Sequence, residues 1–467
     1  MKKSLFILAL VVCLLLTSCT FPTPGSSTAA STTEPVPADT FLADLKAAIE
    51  NAPESSNFTV ASACLQQFFG INHFNYSKVA ATEDLYSKYF IGDIPPALEV
   101  AKSMAQWVVE GVEQGVLDHT DYEEMTDFLL SAYLVSVGDK YATYLNKENF
   151  QSYMSSTSGN FVGIGVLASY NQEQNSIEII SVIADSPAEA AGILAGDQIT
   201  KVDDCSVAEE GYYTAVARIR GEVGTTVTVT VKRGESAFEL TIPRAELTEQ
   251  TVYHKMLVRE GKKVGYVMIT TFSEVTFDQF KAAVDELQEN GATYIIFDMR
   301  NNGGGLLTAV LSMLDYLLPD GKPLANYVYY DGSTEYDVGK DGHHVNLPFA
   351  IIVNEYTASA AELFTSALQD YAKRDFIPHT EVIGTVTYGK GTMQRLFTYT
   401  DDTALTVSIA YYQPPYSPNY EGIGVIPDIE VTLPEIHQSK NPQLIPEGED
   451  TQLEAALSFP NIGEGNE

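Results

Sequence analysis

Positive charge is scarce in this chain: 27 lysines and arginines stand against 62 aspartates and glutamates, a formal net charge of -35 over 467 residues. So acidic a protein repels phosphate backbones, which excludes nucleic acid as a partner and leaves an anionic membrane surface no electrostatic hold on it. Cysteine is nearly absent as well. Of the four, Cys13 and Cys19 lie at the N-terminal end, while Cys64 and Cys205 fall in different expected domains, which argues against a disulfide framework. Neither of these two has histidine at ligand spacing, and the adjacent His343 and His344 sit in a polar loop. A zinc site and a cysteine nucleophile therefore have no support, and no metal or cofactor is expected. After the first residues no apolar run reaches the about 18 residues that a membrane-spanning helix needs.

What the chain does have is enough apolar sequence, 45% of residues, to build two or three buried cores. Lys2 and Lys3 followed by the apolar Leu5 to Leu16 read as a signal peptide, too short to remain as a span. Leu16-Thr17-Ser18-Cys19 is a lipobox that makes Cys19 the lipidated first mature residue. The Ser, Thr and Pro that dominate Thr20 to Pro37 make a flexible tether. The expected plan is a signal peptide over 1–18, the tether over 19–38, a helical N-terminal domain over 39–158, two further domains over 159–246 and 247–435, and an acidic, structureless tail over 436–467. In the helical part, Phe41, Leu42, Leu45 and Ile49 share one face, and Met104, Trp107, Val108 and Val112 share another.

The chemistry concentrates between Thr357 and Gln394. Phe349 to Val353 has the length and composition of a buried strand, and Ala360, Leu363, Phe364, Ala367, Leu368 and Tyr371 recur at helical spacing. A helix therefore begins at or next to Ser359, with Glu362 in its first turn suiting the dipole. A serine there is either an ordinary N-cap or a nucleophile whose oxyanion is met by the amide of Ala360. Lys390 follows in the turn Tyr388-Gly389-Lys390-Gly391. Lysine has an unperturbed pKa of about 10.4, and serving as a base near pH 7–8 requires burial away from carboxylates. Its sequence neighbours Val386, Tyr388, Met393 and Gln394 carry no charge. A phosphate-binding loop is a poor alternative, because position 391 of Gly384-Thr-Val-Thr-Tyr-Gly389-Lys390-Gly391 lacks the magnesium-binding hydroxyl and the residues after it alternate like a strand. A histidine-based triad using His254, His344 or His379 stays open at this point.

Thr357-Ala-Ser359-Ala-Ala-Glu362 and Tyr388-Gly-Lys390-Gly-Thr-Met-Gln394, with the interval between them, resemble the C-terminal processing peptidases, or tail-specific proteases. The resemblance implies Ser359 as nucleophile, Lys390 as general base and Gln394 as the residue that positions the lysine. It gives Asp370 a structural part. Tyr294 to Leu306, a strand that breaks at Asn301-Asn302-Gly303-Gly304-Gly305, resembles the family's oxyanion segment, which makes the amide of Gly304 or of its neighbour Gly305 the second donor. Many relatives carry proline where this chain has Gly303, a difference in turn stiffness rather than chemistry.

Upstream, Phe161-Val-Gly163-Ile164-Gly165-Val166 and Ser186 to Ile199 resemble a bacterial PDZ domain. Amides around Gly163 and Gly165 would receive a terminal carboxylate, Ile164 and Val166 would line the pocket for the last side chain, and the peptide would add as a strand against the helix-like Tyr213 to Ile219. Arg220 is either a link to the active site or a solvated arginine. Gly138 to Leu145 resembles the family's connector between helical part and PDZ domain, and Tyr420 to Val431 its closing segment. The expected fold is multidomain α/β, with a helical N-terminal region, a mostly β PDZ domain with short helices, and an α/β peptidase core with a mixed sheet. The expected function is a lipid-anchored, extracytoplasmic serine endopeptidase acting on proteins or peptides with free C-termini. The rival is a non-catalytic PDZ scaffold, which would usually have lost the serine, the lysine or the glycine turn; this chain keeps all three.

Overall fold

The computed structural model describes residues 36–52, 60–69, 73–172, 174–438, 441–446 and 448–458. The signal peptide, Cys19 and nearly all of the tether lie outside the described residues.

Five helices open the described chain: Ala38–Glu50, Ala61–Phe69, Tyr76–Tyr89, Ala97–Glu113 and Tyr122–Ser136. The last starts where the Asp121 carboxylate accepts from the amides of Glu123 and Glu124, an N-cap of the ordinary kind. In Ala97–Glu113 the buried stripe runs through Val100, Ala101, Met104, Ala105, Val108 and Val109. Trp107, expected on that face, is exposed beside the stripe. These helices do not form a core of their own. Their apolar side chains are continuous with those of the C-terminal α/β part, and Tyr144–Leu145 pairs antiparallel with Leu405 and Ala404 of the strand Ala404–Gln413.

The PDZ domain is a sheet in the spatial order Val166–Asn171, Ser176–Val182, Gln198–Val202, Thr226–Arg233, Ser236–Pro243, with the short helix Tyr212–Ile219 beside it and a separate core. Asn160–Gly163 pairs with Ala245–Thr248, so the chain enters and leaves the domain side by side.

The C-terminal α/β domain, expected as the peptidase core, is a six-stranded mixed sheet ordered Val252–Arg259, Lys262–Ile269, Tyr294–Asp298, Phe349–Val353, Thr380–Gly384, Ile429–Glu430. The first strand is antiparallel to the second, and the remaining pairs are parallel. Such parallel strands are covered on both faces and read as unbroken apolar runs, as Phe349–Val353 does with all five residues buried. Helices Thr276–Glu289, Leu307–Leu317 and Ala360–Ala372 make the crossovers. The site lies at the carboxyl ends of Tyr294–Asp298 and Phe349–Val353, where open parallel sheets place their chemistry.

Within the stretch after His437, expected as a structureless acidic tail, the described residues 448–458 close over this sheet. Helix Thr451–Ser458 packs Ala456 against Ile296, Ile352 and Ile383. Its polar residues would not have forced that; Arg300 does. The guanidinium of Arg300 is buried between Asp298 (Nη2 to Oδ2, 2.6 Å) and Asp450 (Nη1 to Oδ1, 2.9 Å), and Tyr266 Oη donates to the same Asp298 oxygen at 2.7 Å. One charged cluster thus ties the turn after Asp298 to the C-terminal helix. Arg300→Met leaves two buried carboxylates without their cation. It is expected to lower stability by about 3–5 kcal/mol, read as a lower urea midpoint at unchanged slope.

Candidate active site

Two turns carry the site, and side-chain hydrogen bonds lock them together. Thr357 Oγ1 donates to Met299 O at 2.8 Å, Asn354 Nδ2 to Asn301 Oδ1 at 2.8 Å, and Asn301 N to Asn354 Oδ1 at 3.0 Å. Ala358 N donates to Asn302 O at 2.9 Å. Ser359 then sits at φ 60°, ψ -121°, a backbone state rare for any residue but glycine, immediately before helix Ala360–Ala372. The first turn of that helix therefore faces the Asn301–Gly305 loop. A methyl at Gly304, whose φ is 105°, would stand 2.8 Å from Ser359 Cβ and 3.1 Å from Ala360 N; one at Gly305 would run into Phe272 O at 2.1 Å. Only glycine lets this loop close on the serine.

Lys390 comes to the same place through Glu362. This carboxylate is fully buried and accepts four hydrogen bonds. Oε1 takes Thr387 Oγ1 (2.5 Å) and Gly389 N (2.6 Å); Oε2 takes Ser359 N (2.7 Å) and Lys390 N (2.8 Å). The backbone amides of the serine and of the lysine thus meet on one oxygen. Burial still outweighs these donors and raises the Glu362 carboxyl above its ordinary range. Tyr412 makes a second tie. Its Oη lies 3.2 Å from Ser359 Oγ and donates to Lys390 O at 2.8 Å, and Tyr420 Oη donates to Ser359 O at 3.3 Å. The Lys390 amine lies 5.2 Å from the ring centroid of Tyr141. Tyr141 Oη donates to Glu421, which in turn accepts from Gly391 N at 2.7 Å. Ser359, Ala360, Lys390 and Gln394 all have zero exposed surface.

Residues 263–431 match the model of Peptidase family S41, and residues 162–243 match that of a PDZ domain. The chain is 32% identical over 327 residues to the carboxy-terminal processing protease CtpA of Bacillus subtilis (strain 168), a match over 70% of this chain and 68% of that protein. With the carboxyl-terminal-processing protease of a Picosynechococcus species it shares 33% identity over 297 residues, 63% of this chain and 70% of the relative. The chain belongs to the carboxy-terminal processing proteases of peptidase family S41. The solved structure of an S41 protease from Bacteroides fragilis has the same fold, with a TM-score of 0.54 at 18% identity over 81% of this chain and 96% of that one.

Several sequence expectations for this S41 protease change once the structure is in view. Lys390 was expected to be remote from carboxylates, yet Glu362 and Glu421 both lie against its turn, their oxygens engaged by the amides of residues 389, 390 and 391. Glu362, read as a dipole partner, is the tie between the two motifs. Its position three residues after Ser359 is a capping-box spacing, and that signal was available. Tyr141 and Glu421 lie in the segments Gly138 to Leu145 and Tyr420 to Val431, which were marked only as connector and closing segment, and Tyr412 lies in a strand with no mark of its own. The amide of Gly304 is engaged with Asn302 Oδ1 at 2.9 Å in this conformation, so an oxyanion there must displace Asn302 or take the Gly305 amide. Asp370 is structural: it accepts from Tyr416 N at 2.9 Å and from Ser417 N at 2.8 Å. His254, His344 and His379 lie exposed at the surface, while Ser359 is sealed. His254 pairs with Glu286 and His379 with Glu381, which leaves the histidine triad without support.

In the PDZ domain, Val166–Asn171 is the outer strand of its sheet, and helix Tyr212–Ile219 stands beside it. Gly165, at φ 93°, packs its Cα onto Ser186, and its carbonyl accepts from Ile183 N at 3.0 Å. Gly163 ends the strand before this loop. Ile164 is not pocket lining: it is 1% exposed inside the PDZ core, and its carbonyl accepts from Ala188 N. Between the outer strand and the helix, Val166, Ala168, Tyr212 and Val216 are the partly buried apolar residues packed against this core. Arg220 is exposed, yet it lies close enough to Glu249, in the link to the peptidase core, to offset part of the burial that raises that carboxyl.

Proposed function

We propose that this S41 protease is a lipid-anchored, extracytoplasmic endopeptidase with a Ser359/Lys390 dyad, which holds the free C-terminus of an exported or unfolded protein on its PDZ edge strand. The observation that carries the dyad is the shared Glu362 oxygen, which draws the amides of both residues together in a fully buried pocket. A lysine base requires a neutral amine: burial favours that form, and the Glu362 and Glu421 carboxylates beside the turn oppose it. Lys390 Nζ takes the proton of Ser359 Oγ as the oxygen attacks the peptide carbonyl. The tetrahedral oxyanion is met by Ala360 N–H and by the glycine turn at residues 304–305. Lys390 then returns the proton to the leaving amine and activates the water that hydrolyses the acyl-enzyme. Because Ser359 has no exposed surface, substrate reaches it only after this pocket opens, and Ser359 Oγ must turn from Tyr412 toward the amine. Lipidation at Cys19 and export rest on the sequence of residues 1–19 alone.

The test is mass spectrometry of the purified full chain with one unstructured polypeptide bearing either a free apolar C-terminus or an amidated one. Cleavage of the free-ended form, lost in Ser359→Ala, is expected. Equal cutting of both removes carboxylate recognition, and binding without any cutting moves the reading to the PDZ scaffold.

A further inference from the structure

Asp139, in the segment between the helical part and the strand Tyr144–Leu145, is a buried carboxylate that the dyad reading does not use. It accepts three hydrogen bonds: Ser408 Oγ at 2.6 Å, Ser408 N at 3.0 Å and Tyr86 Oη at 3.1 Å. Ser408 stands directly across from Gln394 in the antiparallel pair Thr392–Thr398 and Ala404–Gln413. Gln394 Nε2 donates to Ser408 Oγ at 3.1 Å and to Thr392 Oγ1 at 3.0 Å. All five side chains are buried.

Donor and acceptor counting fixes the direction of this chain of bonds. A carboxylate only accepts, so the single hydroxyl proton of Ser408 points at Asp139, and its lone pairs face Gln394. Gln394 must then present its NH₂ to Ser408 and Thr392, which turns Oε1 the other way. That oxygen is fully buried and has no hydrogen-bond partner among the described residues. We propose that Asp139 is a positioning residue: acting through Ser408, it holds the Gln394 amide with its oxygen free to accept an N–H of Lys390, and so aims the base. The inference rests on the dyad reading above and adds that the region before the PDZ domain sets the polarity of the catalytic amide.

The experiment is a double-mutant cycle on the full-length protein, with kcat and KM measured for the free-ended polypeptide. Asp139→Asn puts an NH₂ against Ser408, redirects the serine proton and lets the glutamine turn over. It is expected to lower kcat by about 10–100-fold at unchanged KM. Ser408→Ala, which removes only the relay hydroxyl, moves kcat in the same direction and serves if Asp139→Asn fails to fold. In a Gln394→Met background neither change has a further effect, because the amide they orient is gone. Losses that multiply with Gln394→Met, or wild-type kcat in Ser408→Ala, overturn the proposal. Turnover that survives Ser359→Ala overturns the dyad reading instead.

Discussion

Replacing Lys390 by methionine is expected to lower turnover by about 10²–10⁴-fold, the range that a positioned general base supplies, while the melting temperature stays level or rises. The two readouts separate catalysis from structure. A lysine with zero exposed surface holds its amine away from water at a desolvation cost, and methionine fills nearly the same volume without a charge to desolvate. Affinity of the PDZ domain for a free C-terminal peptide should not move, because that domain packs on a core separate from the one around Lys390. Turnover within tenfold of wild type would show that the serine proton leaves by another route, and a large fall in melting temperature would make the lysine structural.

Glu362→Gln is the second large effect, and its outcome follows from counting donors. Each carboxylate oxygen accepts two hydrogen bonds. An amide can place its NH₂ against Ser359 N and Lys390 N, or against Thr387 and Gly389 N. The second is the lesser conflict, because the Thr387 hydroxyl can rotate, but Thr387 Oγ1 also accepts from Val425 N at 2.7 Å, and Gly389 N is left without an acceptor. An orphaned buried amide costs about 1–3 kcal/mol, so a lower melting temperature is expected. Turnover should fall by about 10²-fold through displacement of the Lys390 turn from the serine. Kinetics and denaturant melts of the same preparation check both parts. Activity near wild type would mean that the shared oxygen does not set the geometry of the proposed dyad.

How much of this was legible beforehand depends on the range of each interaction. The strand Phe349–Val353, the helix from Ala360 and the strand from Thr392 announce themselves by local periodicity, and the boundaries seen differ by only a few residues. Trp107 misled because a large apolar residue next to a stripe looks like a member of it. The C-terminal helix was hidden because its segment is polar: it docks through Ala456 and through Asp450 on Arg300, a partner 150 residues away. Ile164 was misplaced because burial of a loop residue depends on Ala188 and Ser186, which fold back over it.

By itself the sequence determined the kind of protein this is. Short motifs around Ser359, Lys390 and Gly304, and the glycine loop at Gly163 to Gly165, are local patterns of residue type and spacing. Local patterns survive without knowledge of the fold. Only the tertiary structure decided who holds the machinery in place: Glu362 between the two motifs, Tyr412 across them, Tyr141 beside the lysine, and Asp139 behind Ser408 and Gln394. Apart from Glu362 on Ser359, three residues away, those contacts join residues from 14 to 269 positions apart, each a buried polar group meeting the partner that three-dimensional packing brings within reach. Satisfying buried polar atoms is a property of the packed whole, and no stretch of the chain carries it alone.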